Sequence, residues 1–187
     1  DRLLSRGLGD VYKRQGVHPH NAQSDGVNDP QKILNQLDHK KIIGIGESGL
    51  DFHYDFSEID CQRENFRSHI EASRTTGLPL IIHSRDADDE MSETLQKEQR
   101  KGEFPFILHC FTGGQKLADI AIELGGFISV SGIITFKNAG DLRSVIKIPY
   151  NFICFFNKLT QYRFGNLSLS KYLKFIYLKN PFYNVLK

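Results

Sequence analysis

Disulfide-forming cysteine pairs and membrane-spanning segments are the features that this sequence most clearly lacks. It holds an odd number of cysteines, Cys61, Cys110 and Cys154, and no Cys-x-x-Cys pair. This usage argues against a disulfide framework and favours a reducing compartment, so we expect a cytoplasmic protein. No apolar run approaches the roughly 18 residues of a membrane span, and residues 1–15 contain no apolar signal-peptide core. We therefore expect no membrane partner.

Acidic residues are absent from the last part of the chain. Residues 1–149 hold 18 Lys and Arg against 22 Asp and Glu, a net charge of −4, whereas residues 150–187 hold six Lys and Arg and no acid. The same tail holds 11 of the 21 aromatic residues. It is interpreted either as a basic, aromatic strip that stacks bases and contacts phosphates or as sequence foreign to the domain. The abrupt change in composition favours the second interpretation.

Methionine is nearly absent too. The single methionine is Met91, and the first residue of the sequence is Asp1. Residues 1–15 show no clear strand or helix period. We therefore expect three parts: an N-terminal segment over 1–15 that is foreign to the domain or disordered, one domain over 16–149, and the basic aromatic tail over 150–187.

What is present is a set of three apolar runs, each ending in a side chain able to bind a metal. The runs are Ile42–Asp51, Leu80–Arg85 and Phe104–Thr112, and the side chains are Glu47, His83 and His109. Such runs are typical of buried strands, and the spacings of 36 and 26 residues leave room for one helix between strands. This is the layout of a βα-barrel, whose site is built from the C-terminal ends of parallel strands. The chain is short of the roughly 250 residues of a full barrel, so the predicted fold class is α/β, an incomplete TIM (β/α)8 barrel.

The remaining pattern alternates between strand and helix, which predicts a parallel sheet. Ser57 is the expected N-cap of the longest helix, and Gly77 its expected end. The predicted strands are Lys41–Gly46, Leu80–His83, Phe106–His109 and Phe127–Val130, and the predicted helices are Asp29–His39, Glu58–Thr76, Asp86–Gln99, Gln115–Leu124 and Asp141–Ile148.

Glu47, His83 and His109 are predicted to ligate one metal ion, because all three follow apolar runs at comparable places. A metal that activates water needs a few fixed ligands and an open position. Imidazoles and carboxylates suit borderline divalent metals, and oxygen-rich sites suit Mg²⁺ or Mn²⁺. The expected cofactor is therefore a divalent ion, Mg²⁺ or Mn²⁺, with Zn²⁺ as a further candidate.

Further polar residues flank these strand ends. Arg85 is predicted either to hold a phosphate or carboxylate in a bidentate fork or to pair with Asp86 or Asp88. Pro19 favours an extended chain that would point His18 and His20 to opposite sides, so one of the two is expected to contact substrate. Asp51 is expected to tie the following loop by hydrogen bonds, whereas His53 and Asp55 are expected to be solvated. Cys110 is interpreted as a packing residue, and His39 and His69, both placed in helices, receive no chemical role.

Four ordered motifs resemble the successive signatures of the TatD family of metal-dependent hydrolases. They are Gly16-Val-His-Pro-His20, Gly44-Ile-Gly-Glu-Ser-Gly-Leu-Asp51, Pro79-Leu-Ile-Ile-His-Ser-Arg-Asp-Ala87 and Leu108-His-Cys-Phe-Thr-Gly113, and Phe127–Gly132 matches as well. The resemblance covers about residues 16–149. It implies a TIM barrel, with Glu47 as the carboxylate shared by the metals and His83 and His109 as metal ligands. It also implies phosphodiester hydrolysis on DNA, commonly from a 3′ end.

Two parts of the family pattern are missing from this sequence. The family opens with a strand that carries a His-x-His metal pair, and its last strand carries a Glu-Thr-Asp whose Asp binds metal and helps to activate water. The chain has neither: His18 and His20 belong to the later Gly-Val-His-Pro-His motif, and residues 150–187 contain no Asp. No catalytic general base is therefore assigned, and this chain alone is expected to be inactive. Three hypotheses stay open: a DNase-like hydrolase, a catalytically dead chain that binds metal or nucleic acid weakly, and an amidohydrolase acting on an amide or lactone. The Gly-Glu-Ser-Gly-Leu-Asp stretch argues against the last.

Overall fold

A computed structural model describes residues 13–39, 42–146 and 153–155 of the chain. Its centre is a six-stranded parallel sheet in which the strands are paired in chain order, from β1 at one end to β6 at the other. The strands are β1 (Lys13–Gln15), β2 (Ile42–Asp51), β3 (Leu80–Arg85), β4 (Phe106–Leu108), β5 (Phe127–Val130) and β6 (Ile153–Phe155).

Helices connect successive strands, as parallel pairing requires. They are α1 (Ala22–Asp25), α2 (Pro30–Leu34), α3 (Ile59–Thr76), α4 (Asp88–Lys101), α5 (Gln115–Glu123) and α6 (Gly140–Val145), with short 3₁₀ turns over Pro19–Asn21 and Gly132–Thr135. None of the helices in the described part of the chain is long and apolar enough to cross a bilayer.

One apolar core joins the strands to the helices that cover them. The strands and the helices both contribute fully buried side chains, each worth roughly 1.5–3 kcal/mol in transfer free energy. They include Ile45, Leu80, Ile82, Leu108 and Ile128 from the strands and Phe66, Ile70, Met91, Leu95 and Leu117 from the helices. This core fixes β2, β3 and β4 side by side, so their C-terminal ends reach the same edge of the sheet.

The β2–β3 pair sets the geometry of that edge. Gly49 pairs with His83 in the register and Asp51 with Arg85. Gly49 has φ +149°, and a Cβ there would lie 2.0 Å from the His83 carbonyl oxygen. Only glycine permits this approach, which is a physical reason for the second glycine of the Gly-Glu-Ser-Gly stretch.

Most predicted elements are confirmed, with ends shifted by a few residues. Residues 127–130 form a strand as predicted, and Gly77 ends α3 in the left-handed conformation at φ 70°. The strand predicted to end at Gly46 continues to Asp51, because its pairing with β3 continues as far as Arg85.

Three local predictions are wrong. The helix expected to run to His39 ends at Leu34, where the amides of Gln36 and Leu37 bond three residues back and tighten the chain into turns. His39 therefore lies beyond that helix. The expected N-cap hydroxyl of Ser57 makes no capping bond, since α3 begins at Ile59, and the Ser57 carbonyl instead accepts the amide of Gln62 at 2.9 Å.

Two strands fall inside segments that were expected to lie outside the domain. β1 occupies the last residues of segment 1–15, and β6 lies within the tail over 150–187, pairing Ile128 with Ile153. The other residues of both segments, 1–12 and 156–187 together with 150–152, are outside the described part of the chain. The predictions for them stay predictions.

Candidate metal centre

The Glu47 carboxylate lies between two partners at the sheet edge. Its Oε2 accepts from the Arg14 guanidinium at 2.8 Å, and its Oε1 lies 3.5 Å from His83 Nδ1. Both Glu47 and His83 are largely buried, with side-chain exposures of 15% and 20%. The structure thus brings together two of the three predicted ligands.

Asp51 is the hub of the neighbouring polar cluster. Its Oδ2 accepts from His83 Nε2 at 2.7 Å and from His20 Nε2 at 2.8 Å. Its Oδ1 accepts the backbone amides of His53 and Tyr54, both at 3.1 Å. The prediction that Asp51 ties the following loop is confirmed, and the same carboxylate also orients two imidazole rings.

His18 and His20 lie on the same side, so the prediction that they point apart is wrong. The reason is the 3₁₀ turn over Pro19–Asn21, which begins directly after His18 and replaces the expected extended chain. Their ring centroids are 4.4 Å apart, and His18 Nε2 lies 3.3 Å from His83 Nδ1.

The surroundings of these groups set their protonation. Burial, with the nearby His83 and His20 rings, lowers the pKa of His18 to about 4, so His18 is neutral at pH 7. Burial opposes ionisation of Glu47 and Asp51, but hydrogen bonds from the histidines outweigh it. The pKa of Glu47 is lowered, and that of Asp51 falls to about 2. For His83, burial lowers the pKa, but hydrogen bonds to Glu47 and Asp51 overcome it and raise the net value.

The donor chemistry of this cluster fits a divalent metal ion. One donor atom each from His18, Glu47 and His83 lies within 4.8 Å of the others, and the same holds for His20, Asp51 and His83. Neutral imidazole and ionised carboxylate are the forms that ligate metals. Since a proton on His83 would compete with an ion, binding there would release it.

The third predicted ligand, His109, follows β4 but joins neither group of donors. Its Nδ1 lies 3.3 Å from Ser129 Oγ and its Nε2 3.3 Å from Cys110 Sγ. It is close enough to Glu47 to help lower the pKa of that carboxyl, and burial keeps its own pKa below the ordinary value. Its role as a ligand stays a prediction.

Cys110 is exposed, so its interpretation as a packing residue is wrong. The residue has φ 47°, and this left-handed conformation turns the chain directly after His109. The side chain therefore leaves the core at the end of β4.

Arg85 lies at the mouth of the cluster, as the last residue of β3. Its guanidinium stacks over the Tyr54 ring at 4.9 Å, and within the described residues it forms no ion pair. Of its predicted carboxylate partners, Asp86 accepts from His53 Nδ1 at 2.7 Å, and Asp88 accepts the Gly114 amide at 2.7 Å. The pairing alternative for Arg85 is therefore not seen here, and His53 is tied down rather than simply solvated.

His69, which received no chemical role, ties α3 to the segment that follows β1. It is fully buried, its Nε2 accepts the Val17 amide at 3.0 Å, and its Nδ1 donates to the Asn65 carbonyl at 2.7 Å. Because one ring nitrogen must accept, the native contact requires the neutral imidazole.

We expect His69 to make the fold acid-sensitive. Burial lowers its pKa to about 4, below the 6.5 of an unfolded chain, so the unfolded state takes up the proton first. The stabilisation is complete above pH 6.5 and is lost as pH falls toward 4, by about 3 kcal/mol in all. Urea unfolding of the wild type and of a His69→Gln variant, at pH 7.5 and pH 4, measures this loss as the difference between their pH dependences. Equal pH dependences would contradict it.

Two residues of the site were missed as site residues from the sequence. Asp51 was expected only to tie a loop, and its position in the Gly-Leu-Asp motif directly before a polar loop is the signal that was available. Arg14 lies in a segment without clear periodicity, and only the pairing of β1 with β2 brings it beside Glu47.

A parallel sheet with histidine and carboxylate donors at its strand ends is the arrangement of a metal-dependent hydrolase of the βα-barrel class. A sequence profile of the family described as TatD related DNase matches residues 2–151. The chain belongs to this family, as its motifs predicted.

Individual relatives agree with this assignment. The chain is 37% identical to the uncharacterized metal-dependent hydrolase YabD of Bacillus subtilis, over 73% of this chain and 53% of that protein. It is 36% identical to the uncharacterized metal-dependent hydrolase YcfH of Escherichia coli K12, over 71% of this chain and 49% of that one. The crystal structure of YjjV, a TatD homologue from Escherichia coli K12, superposes with a TM-score of 0.68 at 26% identity. It covers 81% of this chain and 59% of that protein.

The chain spans about half the length of the curated relatives that it matches. The predicted α/β fold of TIM-barrel type is confirmed by the superposition on the TatD homologue. Family membership also supports the prediction of a metal-dependent hydrolase.

Proposed function

We propose that this chain carries the metal centre of a divalent-metal-dependent phosphodiesterase that degrades DNA from its 3′ end. The observation that supports this most is the approach of Glu47, His83 and His18 donors at the C-terminal edge of the sheet. At this edge a carboxylate and two imidazoles would hold a Mg²⁺ or Mn²⁺ ion. When bound, such an ion supplies Lewis-acid polarisation of a phosphoryl oxygen and activation of water.

The residues around the donors have separable roles in this proposal. Glu47 and His83 hold the ion, with His109 as the third ligand, and His18 lies among the donors and fits a ligand role as well as the substrate contact predicted from sequence. His20, held by Asp51 at 2.8 Å, and Arg85 face the substrate. The Arg85 guanidinium offers donors in the forked geometry that matches a phosphate.

The test is hydrolysis of a 5′-labelled single-stranded oligodeoxynucleotide by the full chain with Mg²⁺ or Mn²⁺. Hydrolysis by the proposed centre would give a ladder that shortens from the 3′ end, and a 3′-terminal phosphorothioate would block it. His83→Ala should reduce the rate to the no-enzyme background, whereas His39→Ala, which alters an exposed histidine beyond α2, should retain it. A wild-type rate equal to that of His83→Ala would favour the catalytically dead alternative. Turnover of amide or lactone substrates without oligonucleotide hydrolysis would favour the amidohydrolase.

A further inference from the structure

Two exposed aromatic rings lie on the loop between β2 and α3. The Tyr54 and Phe56 side chains stack on each other with centroids 5.2 Å apart and an interplanar angle of 23°. They are 40% and 62% exposed, the latter being the most exposed large apolar residue in the described part of the chain. We call this pair the aromatic platform.

The platform is attached to the metal centre through His20. The His20 ring meets Phe56 edge-on at 4.9 Å and Tyr54 at 5.5 Å, while its Nε2 donates to Asp51 at 2.8 Å. Asp51 in turn accepts from His83, one of the proposed metal ligands. Only the His20 ring therefore separates a ligand on the platform from the Asp51 and His83 donors.

A cation borders the same rings. The Arg85 guanidinium lies over the Tyr54 ring, and within the described residues it has no carboxylate partner. The loop itself is fixed, because Asp51 accepts the amides of His53 and Tyr54 and the His53 ring is bonded to Asp86. The exposed rings are thus held in place before any ligand arrives, which lowers the ordering cost of binding.

We propose that the aromatic platform stacks an unpaired nucleobase of the substrate strand, with Phe56 as the principal contact and Arg85 on the adjoining phosphate. This inference rests on the proposed function. Stacked aromatic rings beside a free cation are the combination that binds single-stranded nucleic acid without sequence preference. A lipid or protein partner would require a broader apolar surface than two rings bordered by His20, His53 and Arg85.

The platform makes Phe56 a binding residue whose contribution depends on the presence of a base. Phe56→Ala should raise KM for a single-stranded oligo-dT about tenfold, because one stacked base is lost, with little change in kcat. The same variant should leave KM unchanged for an oligonucleotide whose residues are abasic. Phe56→Tyr should restore the wild-type KM, and Phe136→Ala, which removes a similarly exposed ring (58%) after β5, should not alter it.

A binding measurement separates this inference from the hydrolysis proposal. The chain contains no tryptophan, so Phe56→Trp introduces a single indole fluorophore at the platform. Oligo-dT should quench its fluorescence, whereas the abasic oligonucleotide at the same concentration should not. Quenching without hydrolysis would uphold the platform and overturn the proposed function. Equal quenching by both oligonucleotides, or an equal rise in KM for Phe56→Ala and Phe136→Ala, would overturn the platform.

Discussion

Asp51→Ala is expected to lower the free energy of unfolding by about 3–5 kcal/mol, the range for removing one partner of a buried charged network. The Asp51 side chain is fully buried and accepts four hydrogen bonds. Its removal leaves two imidazole donors and two backbone amides without their acceptor, and each buried group left unsatisfied carries a desolvation penalty.

Urea unfolding followed by circular dichroism measures this effect. Asp55→Ala is the matched control, because Asp55 lies on the same loop and is exposed, and it should change the free energy by less than about 0.5 kcal/mol. Asp51→Asn keeps one oxygen for the two backbone amides and should cost less than Asp51→Ala. An Asp51→Ala variant within 1 kcal/mol of the wild type would show that Asp51 is not the hub of the cluster.

Glu47→Gln is expected to weaken binding of Mn²⁺ by about 100-fold or more, because the amide keeps the shape of the side chain but removes the carboxylate charge that a hard cation prefers. The substitution also leaves Arg14, at 2.8 Å, without its anionic partner beside the site. Glu64→Gln is the control, since Glu64 is exposed on α3 and should leave the affinity unchanged. Isothermal titration calorimetry gives the dissociation constants.

The same titrations report the proton on His83. The raised pKa of His83 means that its imidazolium form persists to higher pH than in an ordinary histidine, so Mn²⁺ affinity should fall as pH falls through that range. Titrations in buffers of different ionisation enthalpy should show proton release. A Mn²⁺ dissociation constant for Glu47→Gln equal to that of the wild type would show that Glu47 does not ligate the ion.

The order of the strands could be predicted from sequence because each strand is a short apolar run with a helix-length gap after it. The same runs located Glu47 and His83, which follow buried residues at the edge where parallel strands end. The contacts of Asp51 could not be predicted, since they depend on the register of β2 against β3 and on the turn at Pro19–Asn21. The contact of Arg14 with Glu47 could not be predicted for a related reason. β1 is only three residues long, and its pairing with β2 is what places Arg14 beside Glu47.

Side-chain direction was the weakest part of the sequence interpretation. His18-Pro-His20 was expected to be extended, with the two histidine rings on opposite sides. The 3₁₀ turn instead places both rings on the same side. Ser57 was predicted to cap a helix, yet that helix begins two residues later. Cys110 was predicted to pack in the core, yet the left-handed turn at this residue exposes its thiol. In each case a single backbone conformation, set by tertiary packing, decided where the side chain points.

We infer that Glu47 and His83 hold a divalent metal ion in this chain. Electron paramagnetic resonance tests it directly, because free Mn²⁺ gives a six-line signal that weakens when the ion binds to protein. Titrating Mn²⁺ into the full chain should give a weakened signal up to a defined stoichiometry, and both Glu47→Gln and His83→Ala should restore the signal of the free ion. A wild-type titration that matches buffer, or an unchanged stoichiometry in both variants, would contradict the claim.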